Sequence, residues 1–129
     1  MIPFAATPSD VDDVAARLEA LGNPTRLELF RILVRAGGDG LSVGELQRRL
    51  GGIAASTLSH HLQRLMVVGL ATRERRSTSL ICRANFPVMR RIIGFLADEC
   101  CADAGQTESA GPDCSARADR MNSAVEVEP

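Results

Sequence analysis

Read from the first residue, apolar positions recur at helical spacing through four segments, switch to alternation, and then return to helical spacing. Val11, Val14, Ala15 and Leu18 mark a first helix expected to start at Ser9, with Asp12 completing a weak capping box, and to end at Gly22. Asn23 caps a second helix, and Pro24 occupies its first position, where a missing N–H costs nothing. Leu27, Phe30, Leu33 and Val34 form the apolar side of that helix, and Gly37-Gly38 stop it. Ser42 and Glu45 make a cleaner capping box for a short helix with Val43, Leu46 and Leu50 inward. After a Gly51-Gly52 turn, residues 55–68 form the next helix, with Leu58, Leu62 and Leu65 inward and Gly69 as the expected C-cap.

Beyond Gly69 the period becomes two. Residues 70–75 and 78–83 read as strands around a polar tip, Arg75-Arg76-Ser77. Asn85 and Pro87 then open a last helix with a broad stripe of Val88, Met89, Ile92, Ile93 and Leu96. The expected order is α-α-α-α-β-β-α, a mainly α fold with a small β-hairpin. Two short helices around a glycine turn, followed by a hairpin, make a winged helix-turn-helix. The first and last helices are strongly apolar for so small a chain. They are the natural dimer surfaces, with Val14, Leu18, Val88, Met89, Ile92, Ile93 and Leu96 as contacts. Packing within one chain would account for the same stripes.

The length of 129 residues allows one domain and a tail. From about residue 105 the chain is Gly, Ser, Thr, Ala, Pro and acids, so residues 1–104 are expected to form the domain and 105–129 a mobile tail carrying Cys114. A hydrophobic content of 45% excludes disorder of the whole chain. No apolar run approaches the roughly 20 residues of a membrane span, and no basic-then-apolar leader opens the sequence, so a cytoplasmic location without membrane contact is expected. Aromatics are 3% with no Trp or Tyr, which argues against stacking on single-stranded bases.

The net charge of −1 hides a pattern. Residues 41–83 carry seven arginines against two acids, while residues 1–40 and 84–129 are each acidic. A basic middle suggests a local footprint for a polyanion, although charge alone fits a solvated surface equally well. The helix over residues 55–68 is more informative. Opposite its leucines lie Ser56, Thr57, Ser59, His60, Gln63 and Arg64, with no acid, while His61 leans toward the buried side. Short donors and acceptors with one cation suit base edges and phosphates in a major groove, and ordinary solvated faces carry Glu and Lys. Arg73, Arg75 and Arg76 at the hairpin tip would grip flanking phosphates. Double-stranded operator DNA is therefore the expected partner, bound by a homodimer.

Three segments together resemble the ArsR/SmtB winged-helix repressors: Ala20-Leu21-Gly22-Asn23-Pro24-Thr25-Arg26-Leu27, then Thr57-Leu58-Ser59-His60-His61-Leu62, then Gly69-Leu70. The likeness covers about residues 8–102. It implies a homodimeric repressor that releases DNA when an inducer, often a metal or metalloid, binds. One sensor arrangement of that family, a Cys-x-Cys-x-x-Cys run before the recognition helix, has no counterpart in residues 42–50. Another, built from Asp and His on the last helix, lacks its histidines. What remains resembles arsenic-sensing members with an adjacent Cys pair at the end of the last helix and a third Cys downstream: Cys100, Cys101 and Cys114. The thirteen-position gap to Cys114 departs from that pattern.

Thiolates select soft acceptors such as trivalent arsenic or antimony, which take three ligands in a pyramid. Zinc would want four closed ligands, which no spacing here supplies. Adjacent cysteines suit one centre only where a helix frays, since successive side chains in an intact helix diverge by about 100°. Asp98, Glu99 and the helix C-terminus all disfavour thiolate, so a thiol-redox or persulfide switch on the same fold is the less favoured alternative. Cys82 reads as inert strand packing, and burial on the apolar stripe would also account for Cys100. A cysteine enzyme or metalloid carrier is the remaining alternative. Its one signal is Cys114 followed six residues later by Arg120, the spacing of an anion-cradling loop, but no strand and helix flank it. The expected function is a metalloid-responsive transcriptional repressor, not an enzyme, with no organic cofactor.

Overall fold

A computed structural model describes residues 8–104 of the chain. Five helices are present there: α1 (Pro8–Leu21), α2 (Pro24–Ala36), α3 (Val43–Arg49), α4 (Ala55–Val67) and α5 (Phe86–Ala97). Short 3-10 turns follow α2 at Gly37–Asp39 and α5 at Ala102–Ala104. Three strands, β1 (Leu41–Ser42), β2 (Ala71–Arg76) and β3 (Ser79–Ala84), form an antiparallel sheet in the order β1-β3-β2. The fold is a mainly helical winged helix-turn-helix, as the hydrophobic pattern predicts. The chain divides into two compact units, Met1–Arg90 and Arg91–Pro129, so the helix-turn-helix and the hairpin lie wholly in the first. The expected tail and Cys114 fall outside the described residues.

Local chemistry places the helix ends. The Asn23 side chain accepts from the Arg26 N–H, and Ser42 accepts from the Glu45 N–H, each satisfying a first-turn donor. The expected reciprocal contact of Glu45 is replaced by salt bridges to Arg48 and Arg49, which hold its carboxyl below the ordinary range. α4 closes with a Schellman motif: Gly69 N–H donates to Met66 C=O at 3.0 Å and Leu70 N–H to Leu65 C=O at 2.9 Å. The cap is therefore Val68, with Gly69 one position beyond at φ 81°, where a side chain would be strained.

Leu29, Leu33, Leu46, Leu58, Leu62, Leu65, Leu70 and Cys82 are fully buried and form the core of the first unit. Burying each leucine contributes roughly 1.5–3 kcal/mol. In α2 the expected Phe30 and Leu33 are buried together with Leu29, whereas Leu27 is 44% exposed. The helix carries apolar residues on more than one row, and packing selects the row that includes Leu29. The hairpin turns at Ser77-Thr78, with Arg76 paired to Ser79 and Ser77 at φ 61°, so Arg75 and Arg76 end a strand rather than make the turn.

β1 is absent from the hydrophobic pattern. Leu41 pairs with Cys82 and Ser42 with Ile81, closing the outer edge of β3. Gly40 makes this approach feasible. It sits at φ 71°, and a Cβ there would stand 2.5 Å from the Cys82 carbonyl oxygen and 2.7 Å from Arg83 Cγ.

Candidate nucleic-acid interface and cysteine pair

α4 rests on Leu58, Leu62 and Leu65, each at most 1% exposed. That seating turns Ser56, Thr57, Ser59, His60, Gln63 and Arg64 outward, and all six are exposed. The N-cap of α4 is Ala54, which offers no side-chain acceptor, in contrast to Asn23 of α2 and Ser42 of α3. Its first turn holds no acid. The N–H groups beside Ser56 and Thr57 thus remain available to an anion.

The inner side of α4 is held by two arginines that sequence reasoning missed. Arg17 of α1 donates to the Val68 carbonyl at 2.9 Å, satisfying an orphan acceptor at the negative end of α4. Arg26 of α2 donates through Nε to the Ala20 carbonyl at 2.7 Å, and its Nη1 lies 3.3 Å from His61 Nδ1. Arginine has no acceptor, so Nδ1 must offer its lone pair and the ring proton sits on Nε2. Half-buried His61 is pushed below the usual histidine range, first by burial, then by the charges of Arg26 and His60.

On the hairpin, alternation separates the arginines into two sets. Arg73 and Arg75 share a face with buried Ala71 and lie opposite Cys82 and Leu80. Arg76 shares the other face with Glu74, at 3.9 Å from its carboxylate. Glu74 also accepts from Arg83 Nη1 at 2.6 Å, and Arg83 Nε donates to the Gly38 carbonyl at 2.8 Å. This brace ties the hairpin to the turn after α2 and holds the Glu74 carboxyl below its ordinary range, chiefly through Arg83. Among the described residues, Arg73 and Arg75 enter no ion pair. Burial pushes the Cys82 thiol upward against a weaker pull from Arg73, in keeping with packing rather than reactivity.

The expected dimer residues divide by burial. Val14 and Ile92 are buried, Val88, Met89 and Ile93 are half-buried, and Leu18 and Leu96 are 40% and 62% exposed. Cys100 and Cys101 follow the end of α5 and are exposed, with sulfur atoms 3.7 Å apart. Cys101 adopts φ 61°, and its carbonyl accepts from the Ala104 N–H. The pair is therefore past the regular helix, where adjacent side chains need not diverge. Among the described residues no group of three or more His, Cys, Asp or Glu converges on a metal position.

A helix-turn-helix on a leucine core, an acid-free outward helix face and an arginine-bearing wing define a DNA-binding transcriptional regulator. The helix-turn-helix domain family matches residues 21–74. YgaV, an HTH-type transcriptional regulator of Escherichia coli strain K12, is 31% identical over 101 residues, covering 78% of this chain and 99% of its own. ArsR2 of Halobacterium salinarum, provisionally named an arsenical resistance operon repressor, is 37% identical over 78 residues, 57% of this chain and 64% of its own. The homodimeric winged helix-turn-helix domain of Mb0332 from Mycobacterium bovis superimposes with a TM-score of 0.58 at 25% identity, over 77% of this chain and 91% of that one. The chain belongs to the ArsR family of helix-turn-helix transcriptional regulators. It is not an enzyme, and among the described residues no helix is long and apolar enough to cross a membrane.

Proposed function

We propose that the chain is a homodimeric repressor released from its operator by trivalent arsenic or antimony. The observation that carries this reading is the cysteine pair beyond α5, with sulfurs 3.7 Å apart, on a chain whose α4 has an exposed, acid-free polar face. Ser56, Thr57, Ser59, His60, Gln63 and Arg64 meet bases and nearby phosphates, while Arg73, Arg75 and Arg76 grip the backbone beside them. Two copies place two α4 helices one DNA turn apart, about 34–36 Å. The homodimeric Mb0332 domain supports that arrangement, and the name of ArsR2 supports the inducer class. Val14, Leu18, Val88, Met89, Ile92, Ile93 and Leu96 supply the dimer contacts or the packing beneath them.

Cys100 and Cys101 supply two thiolates. Cys114 supplies the third for inorganic arsenite, from a segment whose closure cost rises only slowly with length. In the reduced chain a soft acceptor displaces the thiol protons itself, so binding needs no preformed thiolate. Coupling of about 1–3 kcal/mol between inducer and operator would change DNA affinity roughly 5- to 150-fold. Fluorescence anisotropy of labelled DNA from upstream of the chain's own gene tests this. Arsenite should release the parent chain but not Cys100→Ser or Cys101→Ser. Release by peroxide or persulfide, with no response to arsenite, would replace the metalloid reading with the thiol-redox one.

A further inference from the structure

We infer that Arg26 is a positioning residue of the DNA-reading surface: it joins the last turn of α1 to the inner side of α4 and fixes the rotation of α4 about its own axis. The inference rests on the DNA-binding reading of α4. The Ala20 carbonyl lies in the last turn of α1, where the final four carbonyls of a helix have no intrahelical donor. Arg26 Nε donates to it at 2.7 Å, which fixes the guanidinium against the end of α1. Its Nη1 then reaches His61 Nδ1 at 3.3 Å, from a residue 35 positions away in sequence.

His61 is well placed for this. It follows His60, which is exposed, and precedes Leu62, which is buried, so it sits on the boundary between the two sides of α4. A tether there resists rotation, whereas Arg17 holds the Val68 carbonyl and restrains the C-terminal end. Rotation matters because side-chain tips lie about 5–6 Å from a helix axis, so a turn of roughly 20° moves them about 2 Å. That exceeds the tolerance of a hydrogen bond to a base edge. Any displacement of α1 also reaches α4 directly through Ala20, Arg26 and His61.

The test uses the full chain and a duplex that the chain itself enriches from a randomised pool, compared with a scrambled duplex. Anisotropy gives the ratio of the two affinities for the parent, Arg26→Gln, His61→Leu, the double variant and His61→Asn, whose side-chain oxygen can accept where Nδ1 did. Arg26→Gln and His61→Leu should each reduce the ratio by about tenfold, roughly the worth of one base contact. Affinity and salt slope on the scrambled duplex should stay unchanged. The double variant should lose no more than either single one, because both break one bridge. His61→Asn should restore the ratio. It should also remove a fall that the parent shows only as pH drops beneath the ordinary histidine range, through the depressed His61 value, where the protonated ring would face Arg26 of α2 and neighbouring His60. Multiplied losses in the double variant, an unchanged ratio in Arg26→Gln, or equal losses on both duplexes would overturn the inference. A parent chain that enriches no duplex would overturn the DNA-binding reading itself, and this inference with it.

Discussion

Replacing Arg75 by alanine removes a cation from the hairpin face that Arg75 shares with Arg73 and buried Ala71. Each phosphate neutralised in B-DNA contributes about −0.9 to the slope of log affinity against log salt. A homodimer loses two such contacts, so the slope should become shallower by about 1.8. Over a fourfold rise in salt, from about 50 to 200 mM, the parent should then weaken about twelvefold more than the variant. A monomeric binder would lose one contact and show only about a 3.5-fold difference, so the same titration reports the assembly. Arg76→Ala is the internal control. Its side chain is on the opposite face and 3.9 Å from Glu74, which already offsets part of its charge. It should flatten the slope by less than half as much. Anisotropy across a salt series measures both. A slope unchanged in Arg75→Ala, or changed more in Arg76→Ala, would refute the assignment of phosphate contact to the inner face of the wing.

Further outcomes are expected. Gly40→Ala should cost about 2–4 kcal/mol in urea unfolding, because φ 71° is strained for alanine and its Cβ would strike the Cys82 carbonyl, displacing β1. Glu74→Gln should raise affinity for any DNA sequence by freeing Arg83 and Arg76. Because Arg83 depresses the Glu74 carboxyl, the brace should strengthen the fold above the ordinary glutamate range and be lost only as pH falls through the depressed value. A thermal melt series from pH 7 to 3 on parent and Glu74→Gln would reveal it. Cys114→Ser should cripple release by arsenite yet spare release by a monomethylated trivalent arsenical, which accepts only two thiolates; equal responses to both would reduce the site to Cys100 and Cys101.

Much of the fold was legible because it is written in short-range chemistry. Asn23-Pro24, Ser42 and Gly69 announce helix ends through donors and φ values that depend on one or two neighbours. The outward residues of α4 followed from the period of its leucines. What escaped was set by contacts across the chain. β1 has two residues and so no period, and its single signal was a glycine whose neighbour is β3. Leu27 and Leu29 were equally apolar, and only the packed partners decided between them. Arg17 and Arg26 reach partners 51 and 35 positions away, which no local pattern announces. The spacing of the two sulfurs depended on where α5 ends, and its end at Ala97 leaves both cysteines outside the helix.

The order β1-β3-β2 leaves one long side of β2 without a hydrogen-bonded neighbour strand among the described residues. Six residues of open backbone would ordinarily invite a strand from another molecule and begin a fibre. Here four of the six are Arg73, Glu74, Arg75 and Arg76, and two such edges brought together would repel. The arginines proposed to meet phosphates would therefore also keep one wing from adding to another. Neutralising them together would exchange weaker DNA binding for self-association. Nucleic acid, by covering the same charges, would be both the ligand of the wing and the moment at which its edge most needs shielding.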